Sequence, residues 1–192
     1  AIGGQLAAVI CIEDPLREEA PSVIRQLKEA GFKRIVMMTG DSERTAAAIA
    51  KRVGVDDYFS EVLPEDKARF VEEEKAKGHK VIMIGDGIND APVLAGADVG
   101  AAMGSGADAA IEAADVVFMK ADLTSIPISV KIARKANIVS KENIVFALAV
   151  KILVMILGLF GIASMWLAVF ADTGVAMLCV LNSIRMLYMK TE

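Results

Sequence analysis

The sequence predicts an α/β domain built on a parallel sheet, followed by an all-α transmembrane hairpin. Three observations carry that reading. Charge is unevenly spread: 24% of the 192 residues are charged, yet residues 144–188 hold only Lys151, Asp172 and Arg185. The mean hydropathy of +0.49 therefore averages a charged part with an apolar one. Within the charged part, short apolar runs alternate with amphipathic stretches, the rhythm of a parallel sheet covered by helices on both faces. Within the apolar part, two runs of about 20 residues each are long enough to cross a hydrocarbon core.

The elements follow in order. Residues 5–12 (QLAAVICI) form a strand pattern ended by the turn signal Asp14-Pro15. Residues 18–30 place Ala20, Val23, Ile24 and Leu27 at helical spacing, and Gly31 stops that helix. Residues 34–38 are a second strand, leading into Thr39-Gly40-Asp41-Ser42 and a helix from Glu43 to about Val53. A further helix covers 67–77 and ends at Gly78. Residues 80–84 (KVIMI) are a third strand that runs straight into Gly85-Asp86-Gly87. Two more short strands, 98–103 and 116–119, flank a helix near 107–113. Right-handed crossovers then gather the strand-terminal loops on one edge, where such sheets bind ligands. Residues 126–141 read as an amphipathic helix bearing Lys131, Arg134, Lys135 and Lys141. The expected divisions are 1–125, a connecting helix 126–143, a hairpin 144–188 and a tail 189–192.

Composition excludes several classes. Residues 1–143 carry 18 basic and 23 acidic residues, with no basic stripe, so nucleic acid is not an expected partner. Cys11 lies in an apolar strand pattern and Cys179 in the hydrophobic tail, which gives no basis for a disulfide, and no Cys/His cluster offers a structural zinc site. The chain opens AIGGQLAAVICIEDP, without Met or a basic region before an apolar run. It is expected to be a cut through a longer protein and not a signal peptide.

Two acidic loops follow strands directly: Thr39-Gly40-Asp41, and Gly85-Asp86-Gly87-Ile88-Asn89-Asp90. Between them lies PEDK at 64–67, with Lys67 near a helix start. Parallel topology brings all three to one crevice, and the chemistry they suit is phosphoryl transfer. The Thr39 hydroxyl and the Gly40 N–H can hold phosphate oxygens, and Lys67 can neutralise charge building on them. Carboxylates at Asp86 and Asp90 can hold Mg²⁺, while Gly85 and Gly87 admit close backbone approach. Each feature alone has a plainer reading, as a turn, a helix cap or a solvated lysine. The string GDGINDAP at 85–92 combines two acids, an amide, two glycines and a helix-starting Ala-Pro, and has no comparably simple structural explanation.

That string resembles the hinge signature of P-type ion-pumping ATPases, within the haloacid dehalogenase-like (Rossmann-like) phosphotransferase fold. TGDS at 39–42 resembles the family's second motif, Lys67 in PEDK its third, and EDPLR at 13–17 its DPxR segment, all in family order. The resemblance implies ATP as substrate and Mg²⁺ as cofactor. It implies that Thr39, Gly40 and Lys67 bind the transferred phosphoryl group and that Asp86 ligates Mg²⁺. Asn89 and Asp90 would complete the phosphate and metal shell, and Asp41 and the Asp14/Arg17 pair would lie toward the nucleotide side and the hinge. The family's nucleophile is the Asp of a DKTGT string, and no DKTG occurs here; Asp122-Leu123-Thr124 lacks the Lys and Gly and follows the wrong strand. The TGE actuator motif is absent as well. Without that Asp no aspartyl-phosphate forms. The expectation is a carboxy-terminal pump portion, inactive alone, whose partner is the missing N-terminal part of the same pump. Residues 1–125 would then be the C-terminal part of its cytoplasmic phosphorylation domain.

The apolar spans are 144–163 and 166–188, with a short uncharged connector. Arg134, Lys135 and Lys141 precede the pair and Arg185 and Lys190 close it, so both ends are expected to be cytoplasmic, in a plasma (inner) membrane bilayer. Lys151 and Asp172 sit inside the spans, where an ionisable group costs at least ~2.5–3.5 kcal/mol and needs a partner or a task. They read either as a neutralising pair that fixes helix register or as a transport site. In the second case the carboxylate takes a divalent cation and the ammonium balances the site's charge when the cation leaves. Asn143, Lys151, Asp172-Thr173-Gly174 and NSIRM at 182–186 resemble the zinc/cadmium/lead-exporting class of heavy-metal ATPases, with Met186 for the usual Leu. The transported species is then a heavy-metal ion. A copper or potassium pump fragment, or a non-catalytic membrane-tethered module, remain as alternatives. Cys179, two turns from Asp172, is read as a small lipid-adjacent residue, and His79 as simply exposed.

Overall fold

Short parallel ladders organise the first of two units into which the chain divides, Ala1–Ile126 and Pro127–Glu192. The computed structural model describes residues 16–104, 106–120, 122–162 and 164–188. Helix α1 (Ala20–Glu29) buries Ala20, Val23 and Leu27 along one stripe, and Pro21 sits in its first turn, where a missing N–H costs nothing. Strand β1 (Val36–Met38), helix α2 (Glu43–Val53) and strand β2 (Asp57–Phe59) form a β-α-β crossover, with Val36 opposite Asp57 and Met38 opposite Phe59. Gly54 ends α2 at φ 82°, the left-handed conformation that glycine adopts without a steric penalty. Helix α3 (Pro64–Ala76) begins three residues before the helix read from periodicity. Pro64 pre-sets its first turn, and the Asp66 carboxylate accepts the Leu63 N–H at 3.3 Å.

The second ladder is built from β3 (Ile82–Gly85), a 3₁₀ turn (Ile88–Asp90), α4 (Ala91–Gly96), β4 (Val99–Met103), α5 (Asp108–Ala113) and β5 (Val116–Phe118). β4 is central and parallel to both neighbours, with Gly85 opposite Ala102 and Met103 opposite Phe118. Leu94, Ala102 and Ala110 form its fully covered core, with Met83, Ile111, Ala113 and Ala114 packed around them. The small residues of β4 matter here: a methyl group on Gly100 would lie 2.5 Å from the Leu94 carbonyl oxygen, so only glycine lets α4 lie this close.

Among the described residues there are two parallel ladders, β1–β2 and β3–β4–β5. The strand bonds of β1 go to β2 and those of β3 to β4, and no described strand bridges them. The strand expected at 5–12, Cys11 and Asp14 lie outside the described residues. β2 escaped the sequence reading because three residues, two of them exposed, carry no usable alternation.

One acid on the inner face of α3 ties these parts together. Glu74 is 7% exposed, and its carboxylate receives Lys77 at 2.8 Å, the His79 ring at 2.7 Å and Arg34 at 3.4 Å. His79 is thus exposed but bonded. Arg34 also holds Asp57 at 2.7 Å. The Lys77 ammonium and the His79 ring hold the Glu74 carboxyl at about 2, well below its ordinary 4.5.

The second unit is a helical hairpin. A single helix, α6 (Ser125–Leu159), carries both the stretch expected to connect the two parts and the first apolar span. It stops short of residue 163. Gly161 adopts φ 72°, and the N–H groups of Gly161 and Ile162 return to the carbonyls of Gly158 and Leu157. The Ser164 hydroxyl then accepts the Leu167 N–H at 3.3 Å and caps α7 (Met165–Val169). A π turn (Phe170–Gly174), α8 (Val175–Ile184) and a 3₁₀ turn (Arg185–Tyr188) complete the return. The most apolar windows of the two helical stretches have mean hydropathies of 2.1 and 1.8, and only 0% and 11% of them is buried by protein. A core helix of a soluble domain would be covered and a signal sequence would lie at the N-terminus. Helices that are apolar all round and uncovered fit a bilayer.

Glu74 makes stability acid-sensitive in a defined window. Because its carboxyl is depressed from 4.5 to about 2 on folding, its contribution is complete above pH 4.5 and is lost as pH falls toward 2. Denaturant midpoints of the first unit's unfolding, followed in detergent from pH 7 to pH 2, should drop across that window and drop less in Glu74→Gln. Equal slopes in the two proteins would show that Glu74 does not carry the effect.

Candidate phosphate and cation sites

The loop after β1 is closed on itself. Thr39 Oγ1 donates to the Asp41 carboxylate at 2.7 Å and accepts the Asp41 N–H at 3.1 Å. Its backbone is laced to the segment beyond β2. The Thr39 N–H donates to the Phe59 carbonyl at 3.0 Å, the Thr39 carbonyl accepts the Val62 N–H at 3.0 Å, and the Asp41 carbonyl accepts the Glu61 N–H at 2.9 Å. That segment leads directly into α3, whose first turn carries Lys67.

Lys67 reaches across to the second ladder. Its Nζ donates to Asp90 Oδ1 at 2.7 Å, with the two side chains 18% and 11% exposed. The other Asp90 oxygen accepts the Gly87 N–H at 3.3 Å. Asp90 lies so near β3 that a methyl group on Gly85 would come within 2.8 Å of the Asp90 Cβ, so Gly85 is fixed by close approach. Asp86 and Asn89 are exposed. The Asp86 carbonyl accepts the Ala107 N–H at 2.9 Å, while its carboxylate has no hydrogen bond or ion pair among the described residues.

The expected residues therefore fall into three groups. Thr39, Gly40 and Asp41 share one loop, Lys67 and Asp90 are joined as an ion pair, and Asp86 offers a carboxylate with no partner among the described residues, with Asn89 exposed three residues on. Asp90 was expected next to Asp86 at a metal. Its carboxylate is instead taken up by Lys67 and by the Gly87 N–H, because the 3₁₀ turn folds it back over Gly85. The residues fit Mg²⁺ through Asp86, since that ion takes one or two carboxylates and completes its shell with phosphate and water. Among the described residues no three Asp, Glu, His or Cys side chains gather, so most ligands would come from phosphate and water.

In the hairpin, Lys151 Nζ lies 3.0 Å from Asp172 Oδ1, and Asp172 belongs to the π turn. Asn143 forms a second polar contact point. Its Nδ2 donates to Ser183 Oγ at 2.9 Å and to the Cys179 carbonyl at 3.2 Å, and its Oδ1 accepts Asn182 Nδ2 at 2.8 Å. Arg185 pairs with Glu142. The partners 142 with 185, 143 with 182 and 151 with 172 step along an antiparallel pair, so the Asn143 contacts lie about 12 Å along the axis from Lys151. The Cys179 thiol faces the Asn143 carbonyl at 3.7 Å. It is turned to the backbone of α6.

The family model of the haloacid dehalogenase-like hydrolases matches residues 1–98. The chain belongs to the haloacid dehalogenase-like hydrolases. Along its whole length it is 44% identical to the cadmium, zinc and cobalt-transporting ATPase of Bacillus subtilis (strain 168), in a 196-residue alignment that takes in 28% of that relative. It is 46% identical over 149 residues to copper-transporting ATPase 2 of Rhizobium meliloti (strain 1021), which covers 78% of this chain and 18% of the relative. Its fold matches a crystal structure of a zinc-transporting PIB-type ATPase in the E2.Pi state with a TM-score of 0.86 at 39% identity, covering 91% of this chain and 28% of that one. This haloacid dehalogenase-like chain thus spans less than a third of the length of each of these relatives.

Three features of this haloacid dehalogenase-like chain were missed in the sequence. The Lys67–Asp90 pair joins residues 23 apart, and nothing local to either signals the other. The bonds from Asn143 to Asn182 and Ser183 had a signal in the polar cluster closing an otherwise apolar span. The π turn had none beyond the Gly174 that follows Asp172.

Removing either partner of the Lys67–Asp90 pair leaves a largely covered charge unmatched. Lys67→Met and Asp90→Asn should each lower unfolding stability by about 1–3 kcal/mol. The double variant should be less destabilised than the sum, with a coupling of roughly 0.5–3 kcal/mol in denaturant titrations. Simple additivity would contradict the pairing.

Proposed function

We propose that this chain is the carboxy-terminal portion of an ATP-driven efflux pump for divalent heavy-metal cations of the zinc/cadmium/lead class. The observation that carries the reading is the Lys151–Asp172 pair at 3.0 Å inside the apolar hairpin, in a chain that also bears the Thr39, Lys67 and Asp86 loops. A charge pair set among residues that suit lipid is costly, and a transported cation supplies a reason for it. The identity to a cadmium, zinc and cobalt-transporting ATPase over the whole chain supports the same assignment.

At the sheet edge, the Thr39 hydroxyl and the Gly40 N–H hold phosphoryl oxygens once Thr39 exchanges its bond to Asp41 for the ligand. Lys67 neutralises charge on the transferred group, and Asp90 keeps the ammonium aimed. Asp86 holds Mg²⁺, which when bound supplies charge neutralisation for phosphoryl transfer. Asn89 lies beside that carboxylate as a hydrogen-bonding group for phosphate, and Asp41 faces the nucleotide side. The aspartyl-phosphate forms on a residue outside this chain, since no Asp-Lys-Thr-Gly string occurs in it. The chain alone is therefore inactive. In the hairpin, the Asp172 carboxylate receives the cation and the Lys151 ammonium pairs with it when the cation has left. The basic residues Arg134, Lys135, Lys141 and Arg185 orient both ends of the hairpin to the cytoplasm, in the plasma (inner) membrane.

A copper reading has the alignment with the copper-transporting relative in its favour. The hairpin argues against it, because a soft monovalent ion selects thiolate and thioether ligands, not a carboxylate beside an ammonium.

Asp172→Ala in the complete pump should abolish Zn²⁺- and Cd²⁺-stimulated ATP turnover while leaving the protein folded. Undiminished metal stimulation would return the choice to a copper or potassium pump. Incubated with labelled ATP, the chain by itself should take up no acid-stable phosphate, and a labelled chain would disprove its predicted inactivity.

A further inference from the structure

The loop between β4 and α5 carries two glycines, and one of them supports the Asp86 loop from behind. The Gly106 N–H donates to the Met103 carbonyl at 2.8 Å, and the next residue's N–H, from Ala107, donates to the Asp86 carbonyl at 2.9 Å. Gly106 does not need to be glycine for its backbone angles, since it is not among the positive-φ residues. It needs to be glycine for space. A methyl group there would lie 2.6 Å from the Asp86 carbonyl oxygen, 2.9 Å from the Met103 carbonyl oxygen and 3.0 Å from the Asp86 Cα. All three are backbone atoms at the ends of paired strands, with Gly85 opposite Ala102 and Met103 opposite Phe118. They cannot swing aside as a side chain would, so the methyl group must displace the Asp86 backbone.

We propose that Gly106 is a positioning residue for the magnesium site: its bare Cα, with the Ala107 N–H, seats the Asp86 backbone so that the exposed carboxylate stands where the metal and phosphate meet. This inference rests on the reading of Asp86 as the Mg²⁺ ligand. Gly104 supplies a matched control. A methyl group on Gly104 would also press on backbone, at 2.9 Å from the Met119 Cα and 2.9 Å from the Phe118 carbonyl oxygen, with none of its three nearest atoms belonging to Asp86.

The test uses the complete pump, with Mn²⁺ binding followed by electron paramagnetic resonance in the presence of inorganic phosphate, beside thermal unfolding of each variant. Gly106→Ala should weaken Mn²⁺ binding by about ten-fold or more, the usual cost of losing a group that orients a metal ligand. Gly104→Ala should lower the unfolding temperature comparably and leave Mn²⁺ affinity unchanged. If the two variants bind Mn²⁺ alike while Asp86→Asn binds it weakly, the inference is overturned and the reading of Asp86 stands. If Asp86→Asn binds Mn²⁺ as tightly as the parent, the reading of Asp86 itself has failed. Should Gly106→Ala not fold, Ala107→Pro decides. At φ −68° residue 107 accepts a proline ring, and that change replaces the N–H held by the Asp86 carbonyl with a CH₂ group that presses on it, so the Asp86 backbone loses its seat. Weaker Mn²⁺ binding supports the proposal, and unchanged binding overturns it.

Discussion

An ammonium and a carboxylate 2.7 Å apart, Lys67 and Asp90, set the layout of the edge proposed to hold phosphate. The two ladders of the first unit share no strand hydrogen bond among the described residues, so α3 acts as the strut between them. Toward the first ladder it presents Phe70, whose ring lies 5.2 Å from that of Phe59, and Glu74, which holds Arg34. Toward the second it presents Lys67 for Asp90 and Lys75 for the Gly96 carbonyl at 2.6 Å. A charged pair at this depth is stabilising only when each partner is well bonded, and Asp90 meets that condition through the Gly87 N–H. The geometry in turn requires glycine at 85. Pair, strut and glycine form one constraint, and Asp86, four residues before Asp90, keeps its carboxylate without a partner among the described residues.

The hairpin applies the same physics under a harsher solvent. Lys151 and Asp172 each answer the other's charge, and Asn143 meets Asn182 and Ser183 to keep two long apolar helices in a single register. Helices covered by Leu, Ile and Val on every side have little else to stop them sliding. The π turn lies where Asp172 does, and π turns recur at sites of function because one wider turn re-aims the residues within it.

Much of this was legible in the residues. Periodicity placed α1 and α2 because burial stripes such as Ala20, Val23 and Leu27 repeat with the helix, and apolar runs placed every short strand but β2. The apolar spans were legible because lipid imposes a length and forbids charge. What periodicity cannot carry is tertiary pairing. Asp90 was read beside Asp86 as part of the metal and phosphate shell, and its bond to Lys67, on another element, had no local signal. His79 looked merely exposed, and only the fold reveals Glu74 within 2.7 Å of its ring. Gly106 gave no sign beyond a glycine pair after a strand, because its role depends on a carbonyl twenty residues earlier.

The central claim is that Thr39, Gly40, Lys67 and Asp86 share one bound phosphate. A structure of the complete pump with Mg²⁺ and trifluoroberyllate, a phosphoryl mimic, tests it most directly. The account predicts the mimic within hydrogen-bond reach of the Thr39 hydroxyl, the Gly40 N–H and Lys67 Nζ, with Asp86 on the metal and Asp90 still on Lys67. A mimic seated elsewhere, with Asp86 facing bulk water, would contradict it.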